Sequence, residues 1–325
     1  MNQDFAENIC RCCGLGELEC PPEQLTGGFL HRMYSLFTTR GRYALKLLNP
    51  AIMQRETALR NYREAERLET FLTGKLPILP ALTISGRKMQ QLSGRFFYLD
   101  SYYAGRSLAA SEIRTFHRRQ IAGLLARLHS FDRRHATLPS QELHIDWDFY
   151  IARLADANAA LSRRLRGCRT LLRECEAGGN AAVTRLPPVV SICHNDLDSK
   201  NVLWHHDECR IIDLECLSYS SPFLESYEQS LCWSGFEECR MDFAAYSLFL
   251  KVYQEAGGVL SEDFATLYQS NFSRLEYLEY SLRRVLGIHS APTEAAVGES
   301  EAHKTLDQLL YYHRIRDELA AHYPG

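Results

Sequence analysis

Apolar and polar positions change rhythm several times along the chain. The stretch LTGGFLHRMYSLFTTRGRYALKLL, from Leu25, alternates as strand, turn, strand. Gly27-Gly28 is a bend, 33–37 alternates, Arg40-Gly41 is a turn and 43–48 is a second strand. Pro50 breaks the pattern. Residues 55–73 then carry Leu59, Tyr62, Leu68 and Phe71 at spacings of three and more, with Glu and Arg between, which predicts an amphipathic helix closed by Gly74. Residues 78–84 and 96–103 are two more strand-like runs around a turn at Gly86. The first hundred or so residues therefore predict a small sheet with one helix inserted.

After Gly105 the rhythm becomes helical. Residues 111–130 repeat Ile113, Phe116, Ile121, Leu124, Leu125 and Leu128 on a helical period. A second helical region, 147–177, carries Arg153, Arg163, Arg164, Arg166, Arg169 and Arg173 and is predicted to end at Gly178-Gly179; such an arginine face is read as solvated. Pro187-Pro188 resets the chain. Residues 189–193 read as a short strand, and 201–205 with 210–214 as a hairpin around His206-Asp207-Glu208. From Ser226 the pattern is helical again, interrupted near Gly257-Gly258 and over 290–300. Residues 1–24 look irregular and end at Pro21-Pro22.

Composition narrows the function classes. Of 325 residues, 46% are apolar and 24% charged, proportions that sustain a globular core. Thirty-seven Lys+Arg against forty Asp+Glu give a net charge of −3, which argues against a nucleic-acid binder. No run of about 18 apolar residues exists, so no membrane span is expected. The opening MNQDFAENIC is acidic and lacks the apolar core of a secretory leader, so the expected location is cytoplasmic. The eleven cysteines then read as reduced thiols. Cys10, Cys12, Cys13 and Cys20 cluster closely enough to ligate zinc, but no two C-x-x-C pairs are present, and incidental thiols are the better reading. The other cysteines read as small core or helix-face residues.

The chemistry concentrates in SICHNDLDSKNVLWHHDECRIIDLE, from Ser191 to Glu215. Asp196 follows a strand and a His-Asn pair. Asn201 lies five residues on, at the start of a second strand, and Asp213 twelve further, behind Ile211-Ile212. Phosphoryl transfer needs such a set. One carboxylate takes the proton of the attacking hydroxyl, while an amide oxygen and a second carboxylate hold Mg²⁺ against nucleotide phosphates. Each residue alone would be an ordinary turn residue. A phosphate-binding cation is also required. Lys46 sits mid-strand in YALKLL, and a lysine in an apolar strand needs a partner, for which the following helix offers Glu64 or Glu66, with Glu64 preferred. Gly27-Gly28 would let a hairpin backbone approach the phosphates.

HNDLDSKNVLW followed by IIDLE resembles the catalytic loop H-[GN]-D-x-x-x-x-N and the metal motif I-D-[FLW]-[ED] of the aminoglycoside phosphotransferase / choline kinase superfamily. LTGGFLHRMY with YALKLL, REAERLETFL and IAGLLARLHSFD extend the resemblance over residues 25 to about 235, in the family's order. It implies an α+β, protein-kinase-like two-lobe fold: an extension 1–24, a β-rich N-lobe 25–103 with one helix, and a mainly helical C-lobe 104–325. By the resemblance Asp196 is the catalytic base, Asn201 and Asp213 are the Mg²⁺ ligands, and Lys46 is the phosphate-binding lysine. His194 supports the loop, and Glu215 assists the metal shell or bonds the loop. Residues 99–103 are a hinge whose backbone contacts the nucleobase, with Ser101 and Tyr103 the leading contributors.

Two departures stand out: Asn195 where many relatives carry Gly, and His31 where relatives often carry Asn. The implied activity is an ATP- or GTP-dependent transfer of the γ-phosphate to a hydroxyl of a small molecule, with no nucleic acid or membrane as partner. Residues from 217 on supply Glu225, Glu228, Glu237, Glu238 and Asp242 beside Tyr227, Trp233 and Phe236, which suits a cationic acceptor such as an amino sugar, choline or thiamine. The competing reading of that stretch is a helix with acids in water and aromatics in the core. The alternative to an enzyme is a non-catalytic binding or spore-coat-associated protein of the same fold. Retention of Lys46, Asp196, Asn201 and Asp213 together favours the enzyme.

Overall fold

The computed structural model describes residues 1–25, 31–137, 142–288, 290 and 292–325; Gly27 and Gly28 lie outside the described residues. The chain opens with α1 (Gln3–Cys13), β1 (Glu23–Leu25), β2 (Arg32–Thr38), β3 (Gly41–Leu47), α2 (Pro50–Met53), α3 (Ala58–Leu72), β4 (Gln90–Leu92) and β5 (Arg95–Ser101). It continues through α4 (Thr115–Ser130), β6 (Arg134–His135), α5 (Trp147–Ala157), α6 (Ala159–Val183), β7 (Val189–Cys193), β8 (Val202–His205), β9 (Glu208–Ile211) and β10 (Ser218–Ser220). The rest is helical: α7 (Pro222–Cys232), α8 (Phe243–Glu255), α9 (Phe264–Ser270), α10 (Ser273–Val285), α11 (Ala295–Arg314) and α12 (Arg316–His322). Two compact units result. The first holds Met1–Glu112 with His194–Ser218, the second Ile113–Cys193 with Tyr219–Gly325.

The first unit is built on an antiparallel sheet of order β1-β2-β3-β5-β4. Strand alternation sorts its side chains by face. Tyr34, Leu36, Leu45, Phe97 and Leu99 pack on one side with Ala6 and Ile9 of α1. The other side carries Lys46, Tyr98 and Asp100, which line a cavity with Tyr62 and Ala65 of α3. The helix α1 was not legible in the irregular-looking first 24 residues. Its core face is Ala6, Ile9 and the thiol Cys10, so a cysteine acts there as a small apolar residue. Its ends are marked by Asn2, whose side chain accepts from the Phe5 amide, and by left-handed Gly14. Residues 78–84 form no strand; they contribute single bridges, Ile78 to Ile211 and Ala81 to Asp100.

In the second unit, Trp147, Ile151, Leu161, Leu165, Leu278 and Leu306 share one core. The predicted helix 147–177 is two helices broken at Asn158, whose side chain caps the second by accepting from the Leu161 amide. That second helix does not stop at Gly178-Gly179. A Cβ on Gly179 would lie 2.5 Å from the Phe272 ring, so this glycine allows close packing rather than ending the helix. Part of the arginine face is paired: Arg169 and Arg173 bind Asp148, and Arg164 binds Asp307. Among the described residues no helix is long and apolar enough to cross a membrane.

Candidate active site

The sheet register sets Lys46 on the central strand, opposite Met33 on β2 and Tyr98 on β5. Only 8% of Lys46 is exposed, so its ammonium requires a counter-charge. Asp213 and Glu215 both supply one, Glu215 Oε2 lying 2.5 Å from Nζ. Burial alone would lower the lysine's pKa, but the two carboxylates outweigh it and the value is raised.

Glu64, the expected partner, does not reach Lys46. Its carboxylate takes Arg67 Nε and Nη2 at 3.0 and 2.7 Å on the outer face of α3. The buried stripe of that helix is Ala58, Tyr62, Ala65, Leu68, Glu69 and Leu72. Leu59 and Phe71 are each 40% exposed, so reading them as core turned the helix to the wrong phase. Glu66 accepts from the Tyr98 hydroxyl at 2.9 Å and the Met89 amide at 3.0 Å. Glu69 is buried against Lys88 at 2.9 Å. A cavity of about 60 Å³ lies between the sheet and α3, lined by Lys46, Tyr62, Glu66, Asp100, Asp213 and Glu215 among others. Asp100 was not singled out from the sequence. Burial, eased by Lys46 and reinforced by Glu69 and Asp213, pushes its carboxyl up to about 7.

Glu215 is gripped on both oxygens. Its Oε1 lies 2.9 Å from His31 Nε2. His31 Nδ1 accepts the Asn49 amide proton at 3.0 Å, so the proton of the neutral ring sits on Nε2 and is donated to Glu215. The Tyr62 hydroxyl stands 3.2 Å from the same Nε2. Burial works against ionisation of Glu215, but Lys46 and the His31 hydrogen bond overcome it and hold the carboxyl low.

The loop after β7 brings Asp196 and Asn201 together. Asn201 is 4% exposed, and its Nδ2 donates to the Asp196 backbone oxygen at 2.7 Å and to Asp196 Oδ2 at 2.8 Å. Both partners are acceptors, which identifies this atom as the nitrogen and leaves Oδ1 as a hard oxygen donor on the amide's other side. Asn201's carbonyl accepts from the Ile212 amide at 2.9 Å, which ties the loop to the chain just before Asp213. Asp213 itself is left-handed, with φ 61°. Aspartate tolerates that conformation better than most residues, so it can hold the turn that follows Ile211-Ile212. An amide oxygen and a carboxylate are the donors that Mg²⁺ prefers, so this pair fits the ion chemically.

His194 braces the loop. Its Nδ1 accepts from the Asp196 amide at 3.3 Å, and its Nε2 donates to the Ile212 carbonyl at 3.1 Å. Asn195 has φ 63°, a conformation that glycine and asparagine tolerate best, which explains how the two residues exchange there. Its Nδ2 donates to the Cys216 carbonyl at 2.8 Å. Lys200, also unflagged by the sequence, lies 3.3 Å from Asp196 Oδ1 and 2.8 Å from Asp198 Oδ2. Burial, eased by Lys200 and reinforced by Asp198, pushes the Asp196 carboxyl up to about 6.

Ser101 ends β5, opposite Tyr43, and is exposed. The Tyr103 ring meets His205 edge-on at 6.3 Å, and a Cβ on Gly105 would lie 2.5 Å from it. Its ring is therefore packed within the first unit.

The acid-and-aromatic stretch had two readings, a seat for a cation and a helix with acids in water and aromatics in the core, and the aromatics follow the second. Tyr227, Trp233 and Phe236 are core residues. Glu225 is buried against His129 at 2.7 Å, Glu237 takes Gln308 at 2.9 Å, and Asp242 caps α8. Cys193 is fully buried; burial and its hydrogen bond to Glu225 push the thiol well above its ordinary value, so it is no reactive thiolate. His129, Cys193 and Glu225 do gather their ligand atoms within 4.8 Å, but the imidazole already engages Glu225 and the Tyr253 hydroxyl, each at 2.7 Å. Among the described residues Cys10 is buried, Cys13 half-buried, and Cys12 and Cys20 exposed, so the four face different ways.

A β-sheet unit with a central lysine, a D-x-x-x-x-N loop and a following I-D turn defines a phosphotransferase of the protein-kinase-like fold. The sequence matches a family model, "Phosphotransferase enzyme family", over residues 22–244, more than half of the chain. The chain belongs to that family and is a small-molecule kinase. No protein of curated function matches it. Solved structures show the same fold. Spectinomycin phosphotransferase in complex with ADP and spectinomycin is 11% identical, covers 96% of this chain and 99% of its own, and has a TM-score of 0.70. The ethanolamine kinase of Plasmodium vivax is 15% identical, with coverage of 94% and 89% and a TM-score of 0.58. An amicoumacin kinase in complex with AMP-PNP and Ca²⁺ is 12% identical, with coverage of 95% and 93% and a TM-score of 0.59.

Proposed function

We propose that this kinase moves the γ-phosphate of ATP or GTP to a hydroxyl of a small acceptor, with Asp196 as the base. The observation that carries the reading is the hydrogen-bonded pair of Asp196 and Asn201 beside a Lys46–Asp213 contact, all within one compact unit. In the step, the acceptor's O–H bond breaks and its proton passes to the Asp196 carboxylate. The acceptor oxygen bonds phosphorus as the bond to the leaving nucleoside diphosphate breaks. A carboxyl near 6 is ionised at neutral pH, yet basic enough to accept a proton in the transition state. Lys46 supplies positive charge to the phosphates. Mg²⁺, held by Asn201 Oδ1 and the Asp213 carboxylate, would neutralise phosphate charge as it develops.

The acceptor class is the finer part of the proposal. Spectinomycin, ethanolamine and amicoumacin, on which the named relatives act, belong first in a screen, with choline, thiamine and other amino sugars beside them. The deciding experiment compares nucleotide binding and turnover in two variants. Asp196→Ala is expected to abolish transfer and to keep Mg²⁺-nucleotide binding. Asp213→Ala is expected to lose both. Retained turnover in Asp196→Ala sinks the base assignment. A wild-type protein whose melting temperature ignores Mg²⁺ with ATP or GTP sinks the kinase reading.

A further inference from the structure

The contacts around Lys46 leave a question that the proposed function does not answer. Two carboxylates hold one ammonium, and one of them, Asp213, is also the proposed metal ligand. A carboxylate engaged on a buried lysine is not free to ligate. The helix α3 places no carboxylate on the lysine: Glu64, Glu66 and Glu69 bind Arg67, Tyr98 and Lys88. Of the two carboxylates in contact with Lys46, Glu215 is the one that can remain there when Asp213 leaves, and only if it is kept aimed at the lysine. Its other oxygen is fixed by His31 Nε2–H at 2.9 Å, and that ring is itself fixed by the Asn49 amide at Nδ1. His31 is 6% exposed, so water does not compete effectively for this bond.

We propose that His31 is a positioning residue: by donating to Glu215 it makes Glu215 the standing counter-ion of Lys46 and frees Asp213 for the metal-bound nucleotide. The assignment rests on the kinase reading above. It also accounts for a residue that the motif pattern left as a mere departure. Tyr62, on the buried stripe of α3 and 3.2 Å from the same nitrogen, lines the cavity that Lys46 shares.

The two ring nitrogens give a test that separates positioning from simple structural support. In His31→Gln the side-chain amide reaches as far as Nε2 and still donates to Glu215. In His31→Asn the amide reaches only as far as Nδ1, keeping a partner for Asn49 and losing Glu215. Full-length wild type, both variants and Glu215→Gln are titrated calorimetrically with ADP, in excess Mg²⁺ and in EDTA. Loss of one charge-assisted hydrogen bond corresponds to a roughly ten- to hundredfold weaker MgADP affinity, which is expected for His31→Asn and Glu215→Gln. His31→Gln is expected to stay within about threefold of wild type. The apparent Mg²⁺ affinity, measured at fixed ADP, should fall in the same two variants. Wild-type affinity in His31→Asn, or a loss in His31→Gln as large as in His31→Asn, overturns the proposal. If the His31 variants do not fold, Glu215→Gln decides it: an unchanged MgADP affinity there is equally fatal. A wild type that binds no MgADP overturns the kinase reading, and this one with it.

Discussion

Lys200→Met tests whether the acidity of Asp196 is set as its surroundings imply. The two charged atoms lie 3.3 Å apart, with the Lys200 side chain 45% and the partly buried Asp196 side chain 37% exposed. The bare Coulomb energy at that distance in water is about 1.3 kcal/mol. Exposure and salt reduce a pair of this kind to ~1 kcal/mol at most. At 1.36 kcal/mol per pH unit, removing the cation raises the Asp196 pKa by ~0.7. The sign is fixed by the chemistry. The base works ionised, so activity rises with pH through a midpoint near 6, and loss of the cation moves that limb to higher pH. Activity at pH 6 should therefore fall about threefold while that at pH 8 hardly changes. Loss of Lys200 also unmasks the Asp198 carboxylate, which adds to the shift in the same direction. The assay is a pH series of nucleotide consumption under limiting substrate, repeated at high salt, where the wild-type limb should itself drift upward. A loss of equal size at every pH would mean that Lys200 acts on the phosphates instead. An acid limb that stays put or moves down would refute the electrostatic argument.

Two further predictions concern the fold. Ile9→Ala removes a fully buried side chain from the face of α1 that packs on the sheet, and it should cost about 2–5 kcal/mol in a urea melt. A change below about 0.5 kcal/mol would show that α1 is not part of that core. Alkylation of the native protein by iodoacetamide should modify the exposed Cys12 and Cys20 and spare Cys193, which is buried and bonded to Glu225. Peptide mapping that finds Cys193 modified as fast as Cys12 would contradict that placement.

The parts of the molecule legible in the sequence were those with a strong period or a fixed spacing. The alternation from Met33 to Leu47 gave β2 and β3, and the run up to Leu128 gave α4. The spacing of Asp196, Asn201 and Asp213 located a loop and turn that do lie together in the first unit. What failed was phase and context. In α3 the apolar residues Leu59 and Phe71 look like core, but the buried stripe includes Ala58, Ala65 and the charged Glu69, which no hydrophobicity pattern marks as buried. In α6 the pair Gly178-Gly179 has the composition of a helix end, and only the nearness of Phe272 shows why it continues. In α7 and beyond, Tyr227, Trp233 and Phe236 are core as the ordinary reading has it, but Glu225 is buried too, against His129, where that reading put acids in water. His31 and Tyr62 act through distant partners, His31 with Glu215 184 residues away, and such pairings leave no local signal; Lys200, four residues from Asp196, lay within the motif itself and was passed over.

The charge around the cavity explains why a nucleotide should not enter it alone. Glu66, Glu69, Asp100, Asp213 and Glu215 line the space that Lys46 shares, and Lys88 is already occupied by Glu69. One buried ammonium tied to two carboxylates presents little net positive charge to a polyphosphate, and the remaining acids repel it. Asp100, near 7, adds to that repulsion as pH rises and eases it as pH falls. On the proposed reading the nucleotide would arrive with its charge partly neutralised, and one of the lysine's two carboxylates would turn to the cation that does so. Asp213 is the proposed metal ligand, together with Asn201, whose amide is oriented by Asp196. Glu215 is the one with a second anchor, at His31. The unequal bracing of these two acids would let one lysine serve first as a buried cation and, on the proposed reading, then as a phosphate ligand, without being left in a low-dielectric site with no counter-charge.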